Sequence, residues 1–134
     1  MIINLSYIIV TAAILLDRDK ILIARRRKGK DLEFKWEFPG GKVNRDETEE
    51  EALKRELKEE FSIDTSVKGF VAESFYKYDH ISINLRAYLT EIVAGEIELN
   101  DHDKVAWVDQ DQLSSFDFAP ADLPIIESIL KNGI

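Results

Sequence analysis

The 134-residue chain contains no cysteine. That excludes a disulfide framework, a thiolate zinc site, an iron–sulfur cluster and a cysteine nucleophile, and it suits a reducing compartment. Proline is scarce, with three residues, and no internal repeat, low-complexity tract or interdomain linker interrupts the chain. A membrane-length apolar run is missing too. The apolar start is broken by Asn4, Ser6 and Thr11, has no Lys or Arg before it, and ends at Asp17. The sequence therefore predicts neither signal peptide nor membrane anchor, and a cytoplasmic location. Basic residues are in deficit, 18 against 26 acidic for a formal charge of −8, which argues against a nucleic-acid polymer as partner. A hydrophobic content of 45% excludes a disordered acidic chain. The expectation is one domain over residues 1–134 with one sizeable core.

What is present is charge, and it is segregated. From Arg18 to Lys30 there are seven Lys or Arg against Asp19 alone, a net of +6. From Asp46 to Glu60 there are eight acids against Lys54, Arg55 and Lys58, a net of −5. Solvated faces are the ordinary explanation of such runs. A site where cations hold a polyanion and carboxylates hold metal is the sharper one.

Apolar and β-branched patterning predicts strands over residues 7–16, 20–26, 67–76, 81–93 and 104–108, with a tight turn at Asp17-Arg18-Asp19. Trp36-Glu37-Phe38 is extended and runs into a Pro39-Gly40-Gly41 break. Thr48-Glu49-Glu50-Glu51 is a capping box that starts a helix ending near Phe61. A helical turn over residues 109–113 and a terminal helix over 123–130 follow. Strands interspersed with two helices predict an α+β fold, a mixed sheet with helices against its faces.

The first helix carries the chemistry. With Ala52 as zero, Leu53, Leu57 and Phe61 fall at roughly 100°, 140° and 180°, a core stripe. Glu59, Glu56 and Glu60 fall at roughly −20°, 40° and 80°, one arc along its edge. Glu49, Glu50 and Glu51 favour the helix dipole, whereas Glu56, Glu59 and Glu60 oppose it or repel one another, at roughly 0.2–0.5 kcal/mol per like-charged pair. An arrangement that costs stability twice calls for a counter-ion, and oxygen ligands select a hard divalent cation, Mg²⁺ or Mn²⁺.

Gly41, Glu47, Arg55-Glu56-Leu57, Glu59-Glu60 and Ser62-Ile63, at these spacings across 23 residues, resemble the Nudix box. Eight of nine fixed positions agree; Ser62 stands where the family has a glycine, which predicts a strained or altered helix end. Trp36-Glu37-Phe38-Pro39-Gly40-Gly41-Lys42, Asp101-His102…Trp107-Val108 and Phe118-Ala119-Pro120-Ala121-Asp122-Leu123-Pro124 are similar to the MutT-like branch, the last string to CTP pyrophosphohydrolases. The resemblance implies a Nudix α/β/α sandwich with a mixed β-sheet between helices. It implies metal-dependent conversion of a nucleoside triphosphate and water to monophosphate and diphosphate, with 8-oxo-dGTP or (d)CTP-type nucleotides as substrates.

By the same resemblance Glu59, Glu60 and the Gly40 carbonyl are metal ligands, and Glu56 is a ligand or the general base. Asp101 matches a position where the branch often has Glu. Arg55 orients the glutamates by pairing with Glu47. Arg25 grips a phosphate or is an ordinary exposed arginine, and Arg26, Arg27, Lys28 and Lys30 are solvated, raising local polyanion concentration at most. Lys42 touches phosphate or flanks the turn. Asp122 accepts hydrogen bonds from a base, N-caps the terminal helix, or does both. Phe75, Tyr76 and Tyr78 stack on a base or belong to the core. His80 and His102 lack metal spacing. The implied partner is a small nucleotide bound by a monomer or homodimer. Two competing readings are a Nudix hydrolase of ADP-ribose or nucleotide sugars, and a non-catalytic nucleotide-binding module, against which the intact Glu56, Glu59 and Glu60 argue.

Overall fold

A computed structural model describes residues 6–134; part of the apolar start, residues 1–5, lies outside them. In chain order the elements are β1 (Ile8–Asp17), β2 (Lys20–Arg26), β3 (Trp36–Glu37), β4 (Gly40–Lys42), α1 (Glu49–Phe61), β5 (Asp64–Lys77), β6 (Ser82–Ala94), β7 (His102–Val108) and α2 (Leu123–Asn132). Two 3₁₀ turns, Gln110–Ser115 and Pro120–Asp122, precede α2. The sheet runs β3-β2-β1-β6-β5, with β4 added on β1 and β7 on β2. It is mixed: β1 and β6 are parallel, and the other pairings are antiparallel.

Strand alternation builds a core on each face of the sheet. Ala12, Ile14, Ile21 and Ile23 point to the face covered by α2, with Ile125, Ile126 and Ile129. Ala13, Leu15, Leu22 and Ala24 point to the opposite face, under Leu53, Leu57 and Phe61 of α1. The helix stripe read from the sequence is the one buried, and the α/β/α sandwich follows from two amphipathic helices on a sheet apolar on both sides. Among the described residues no helix is long and apolar enough to cross a membrane.

Both ends of α1 are capped. Thr48 Oγ1 accepts from the Glu51 N–H at 3.1 Å and Glu51 Oε1 accepts from the Thr48 N–H at 2.9 Å, the reciprocal box. At the other end Ser62 adopts the left-handed conformation (φ 60°, ψ 32°) that a glycine would take, and its N–H donates to the Lys58 carbonyl. The helix end is therefore strained but not altered. Asn100 offsets the cost: its side-chain N–H groups donate to the Glu59 carbonyl at 2.9 Å and to Ser62 Oγ at 3.0 Å. Two such bonds, at about 1 kcal/mol each, match the roughly 1–2 kcal/mol of a left-handed non-glycine residue.

The double glycine brings β4 against both β1 and α1. At Gly40 (φ +155°) a β-carbon would sit 2.0 Å from the Thr11 carbonyl oxygen, which is fixed backbone. At Gly41 it would sit 2.3 Å from the Glu56 carboxyl carbon, the far end of a flexible side chain. Gly40→Ala is expected to destabilise the protein by about 3 kcal/mol or more, read as a lower urea midpoint. Gly41→Ala is expected to shift the midpoint by less than about 1 kcal/mol while swinging Glu56 aside and abolishing the hydrolysis that the Nudix-box resemblance implies. Equal destabilisation by the two would contradict this division.

Candidate functional site

Helix α1 presents its glutamates beside the glycine turn, and Arg55 sets their positions. Arg55 Nε and Nη2 donate to Glu47 at 2.6 and 2.9 Å, a bidentate pair. Nη1 reaches Glu56 at 3.0 Å and Glu59 at 3.2 Å, and Nη2 also holds the Lys42 carbonyl at 3.0 Å. The pairing with Glu47 raises the Arg55 pKa, and the Arg55 hydrogen bond lowers that of Glu47. One planar cation thus ties the helix to the turn and orients two of the three glutamates.

Glu60 has no such partner. Its Oε2 is buried without a hydrogen bond. Burial, then the charges of Glu37, Glu56 and Asp101, push its pKa up to about 9. A buried carboxylate among carboxylates is costly unless it is paired, protonated or bound to metal. Among the described residues no three acidic or imidazole side chains are grouped so that they could hold a metal ion by themselves. Yet the donors suit a hard divalent ion: oxygen atoms only, excess negative charge, and one oriented oxygen left free. Glu59 is largely exposed, tethered by Arg55. Asp101 is paired with Lys30 at 2.9 Å and Arg27 at 3.8 Å. Burial works to raise the Asp101 pKa, but the Lys30 hydrogen bond and charge hold it below its usual value.

Beside the carboxylates, on the α2 face, is a cavity of about 160 Å³. Thr11, Arg26, Glu37, Phe38, Gly40, Tyr78 and Asp122 are among its walls. One of these, Glu37, also faces the carboxylates closely enough for its charge to bear on Glu60. Asp122 is brought there because residues 117–119 run beside β3: Trp36 N–H donates to the Asp117 carbonyl at 2.8 Å and Ala119 N–H to the Trp36 carbonyl at 2.9 Å. The Asp122 carboxyl then accepts from the Phe38 N–H at 3.0 Å. It makes no cap on α2, so the capping alternative falls. Burial, then the charge of Glu37, raises its pKa well above the usual carboxylate value. It is thus pushed toward a neutral group that donates as well as accepts, not the acceptor-only anion expected from sequence.

Other residues are placed differently from the sequence reading. Arg25 does not line the cavity; it makes a bidentate pair with Asp103, both bonds 2.8 Å. Arg26 does line it, and donates to Glu37 at 3.1 Å. The β2–β7 register shifts between these two arginines, and such a bulge re-aims side chains that alternation alone assigns. Lys42 contributes its carbonyl to Arg55, with the residue itself exposed. Tyr78 lines the cavity, and its hydroxyl accepts from the Ala121 N–H at 3.1 Å, bracing the turn that carries Asp122. Phe75 is exposed and packs edge-on against Tyr7. From sequence Glu37 has no assigned role, and His102 is weighed only as a metal ligand and set aside. His102 Nε2 lies 2.8 Å from Glu37, and its ring stacks on Phe61 of α1 at 5.2 Å. Their signal was available: Glu37 sits inside the Trp-Glu-Phe-Pro-Gly-Gly string, and His102 adjoins Asp101.

The NUDIX domain signature matches residues 7–129. The chain is 35% identical over 121 residues to the CTP pyrophosphohydrolase of Escherichia coli K12, spanning 90% of each protein. It is 35% identical over 113 residues to the 8-oxo-dGTP diphosphatase of Haemophilus influenzae, covering 84% of this chain and 82% of that one. The solution structure of the E. coli ORF135 protein superimposes with a TM-score of 0.82 at 34% identity, over 93% of this chain and 89% of that one. Together with a box helix whose glutamates are intact and folded against a double-glycine turn, these likenesses show that the chain belongs to the Nudix family and is a Nudix hydrolase.

Proposed function

We propose that the protein hydrolyses nucleoside triphosphates to monophosphate and diphosphate, with cytosine or oxidised-guanine nucleotides as its substrates and Mg²⁺ or Mn²⁺ as its ion. One observation carries this reading: Glu37 is a wall of the Asp122 cavity and its charge also bears on Glu60, whose buried Oε2 has no hydrogen bond. The cavity is smaller than the roughly 300–1,000 Å³ that encloses a whole ligand, so it suits one flat ring system with the phosphates left outside, toward the helix. The relatives named for CTP and 8-oxo-dGTP lend the same substrate classes. The absence of cysteine suits the cytoplasm, which belongs to the proposal.

A divalent cation held by Glu56, Glu59, Glu60 and the Gly40 carbonyl, with Asp101 nearby, would neutralise phosphate oxygens and acidify a water. The chain supplies the rest. Arg55 keeps Glu56 and Glu59 in place, so that Glu56 can accept the proton of the attacking water or serve as a ligand. Arg26, anchored on Glu37, offers a guanidinium to the sugar–phosphate end of the nucleotide. A neutral Asp122 carboxyl presents one donor and one acceptor. That complements the N4–H and N3 edge of cytosine and the N1–H and O6 edge of an oxidised guanine.

Three measurements test this. With Mg²⁺, CTP, dCTP and 8-oxo-dGTP should yield diphosphate faster than ADP-ribose or UDP-sugars yield their monophosphates; no turnover of any triphosphate would refute the reading. Glu60→Gln removes a proposed ligand and a carboxyl that, at pH 8 without metal, ionises in the unfolded chain while the fold holds it mostly protonated. It is expected to raise the metal-free Tm at pH 8 by about 3–6 °C and to erase the further rise that Mg²⁺ gives the parent. Asp122→Asn keeps one donor and one acceptor. Below the usual carboxylate range Asp122 is neutral in both folded and unfolded states. As pH rises from there toward its raised folded value, only the unfolded state ionises, and stability falls. The Asn variant lacks this loss, so its Tm advantage should grow by about 3–6 °C between pH 5 and pH 8. An advantage constant with pH would show that Asp122 is ionised when folded.

A further inference from the structure

Residues 27–35, the connection from β2 to β3, touch both ends of the site. At one end Leu32 lines the cavity. At the other, Lys30 Nζ lies 2.9 Å and Arg27 Nε 3.8 Å from the same oxygen of Asp101. The Asp101 charge is one of those bearing on Glu60. A nucleotide with its base in the cavity and its phosphates at the carboxylates therefore passes along this connection. The segment is built, not loose. Phe34 N–H donates to the Arg26 carbonyl at 2.8 Å, Arg26 N–H to the Lys35 carbonyl at 2.9 Å, and the Arg26 side chain to the Asp31 carbonyl at 2.5 Å. Leu32 and Phe34 are held in the left-handed region, φ 56° and 65°, a conformation that bulky side chains avoid and that clusters at ligand sites.

The Lys30–Asp101 contact is made for exchange. Both side chains are more than a third exposed, 36% and 37%, and exposed pairs of this kind are weak. A charge-assisted bond to phosphate is stronger. A divalent ion on Asp101 would also repel the ammonium, and the nearest anion for it is then the polyphosphate the ion neutralises.

We propose that Lys30 and Arg27 form a subsite for the polyphosphate chain, and that Asp101 releases Lys30 to it when the metal-bound nucleotide enters. This rests on reading the site as a metal-dependent triphosphate hydrolase with Asp101 near the ion. It separates Lys30 from the solvated surface cations of its segment, and gives opposite signs for two kinds of binding.

The test is Lys30→Gln, with Arg27→Gln as a second variant. Mn²⁺ binding is read by electron paramagnetic resonance without nucleotide. Binding of an α,β-methylene triphosphate and of the matching monophosphate is read by calorimetry. Removing the competing ammonium should tighten Mn²⁺ binding up to about five-fold. Losing the phosphate contact should weaken triphosphate binding about ten-fold or more and leave the monophosphate unchanged. Unchanged Mn²⁺ binding, unchanged triphosphate binding, or equal weakening of triphosphate and monophosphate each overturns the proposal. Asp101→Asn separates the causes. If it weakens Mn²⁺ binding while Lys30→Gln alters nothing, the exchange fails and the metal reading stands. If Mn²⁺ binding ignores Asp101, the placement of the ion fails and the exchange with it.

Discussion

Electrostatic repulsion among carboxylates is the constraint from which the rest of the site follows. Glu37, Glu56, Glu60 and Asp101 converge closely enough for three of them to press on the fourth. Such a cluster would drive a free helix apart, but α1 is not free. Leu53, Leu57 and Phe61 are completely buried, and each contributes roughly 1.5–3 kcal/mol against roughly 0.2–0.5 kcal/mol for each like-charged pair on the helix. Packing wins by a wide margin, so the helix can hold an acidic edge in a fixed place. The neighbouring acids are then relieved one at a time. Arg55 takes Glu47, Glu56 and Glu59, Arg26 and His102 take Glu37, and Lys30 takes Asp101. Glu60 is left with a buried bare oxygen, which is what an ion would find.

The sheet turns that cluster into a site with two compartments. Because β4 pairs with β1 through Thr11↔Gly41 and Ala12↔Gly40, the glycine turn is pinned at the boundary between the α1 face and the α2 face. Gly41 has to be bare because the Glu56 carboxylate occupies the space of its missing side chain. On the far side, the segment before α2 is stitched to Trp36 and carries Asp122 under the Phe38 amide. Trp36 and Phe38 thus fix the cavity, while Glu37 between them in sequence lines it and also bears on Glu60. In the proposed reading, a single extended string ending in two glycines would join recognition of the base to the place where phosphate chemistry occurs.

Much of this was readable from the residues. The capping box at Thr48, the buried stripe of α1 and the arc of Glu56, Glu59 and Glu60 depend on local periodicity, which a single sequence carries. The strands were found with ends displaced by a few residues: β5 begins at Asp64 and not Val67, and β7 at His102 and not Lys104. The misplacements share a cause. Arg25 and Arg26 exchange parts because a bulge interrupts alternation, and a bulge is a property of two paired strands. Asp122 reads as a base contact, a helix cap or both, and only the cap fails: it follows from preceding a helix, whereas its partner, the Phe38 amide, is 84 residues away in sequence. Glu37 and His102 acquire meaning only when β2, β3 and β7 lie side by side. Contacts set by tertiary pairing leave no periodic trace.

A net charge of −8 first argues against an anionic ligand, yet the geometry reverses the inference. Long-range repulsion is screened beyond about 8–10 Å at physiological ionic strength, so what a phosphate meets is decided by the charges in immediate reach. Those charges are arranged as an acidic edge with one buried carboxyl oxygen left without a hydrogen bond, bordered by cations already borrowed by neighbouring acids. Neither half binds a polyphosphate unaided: the acids repel it, and the cations are engaged. A divalent ion carried by the nucleotide would change both conditions at once, because it would neutralise the acids and free whichever of their ammonium and guanidinium partners it displaced. Acidic and basic segments on either side of the glycine turn are therefore parts of one device, and the acidity that excludes a bare polyanion is what admits a metal-bound one.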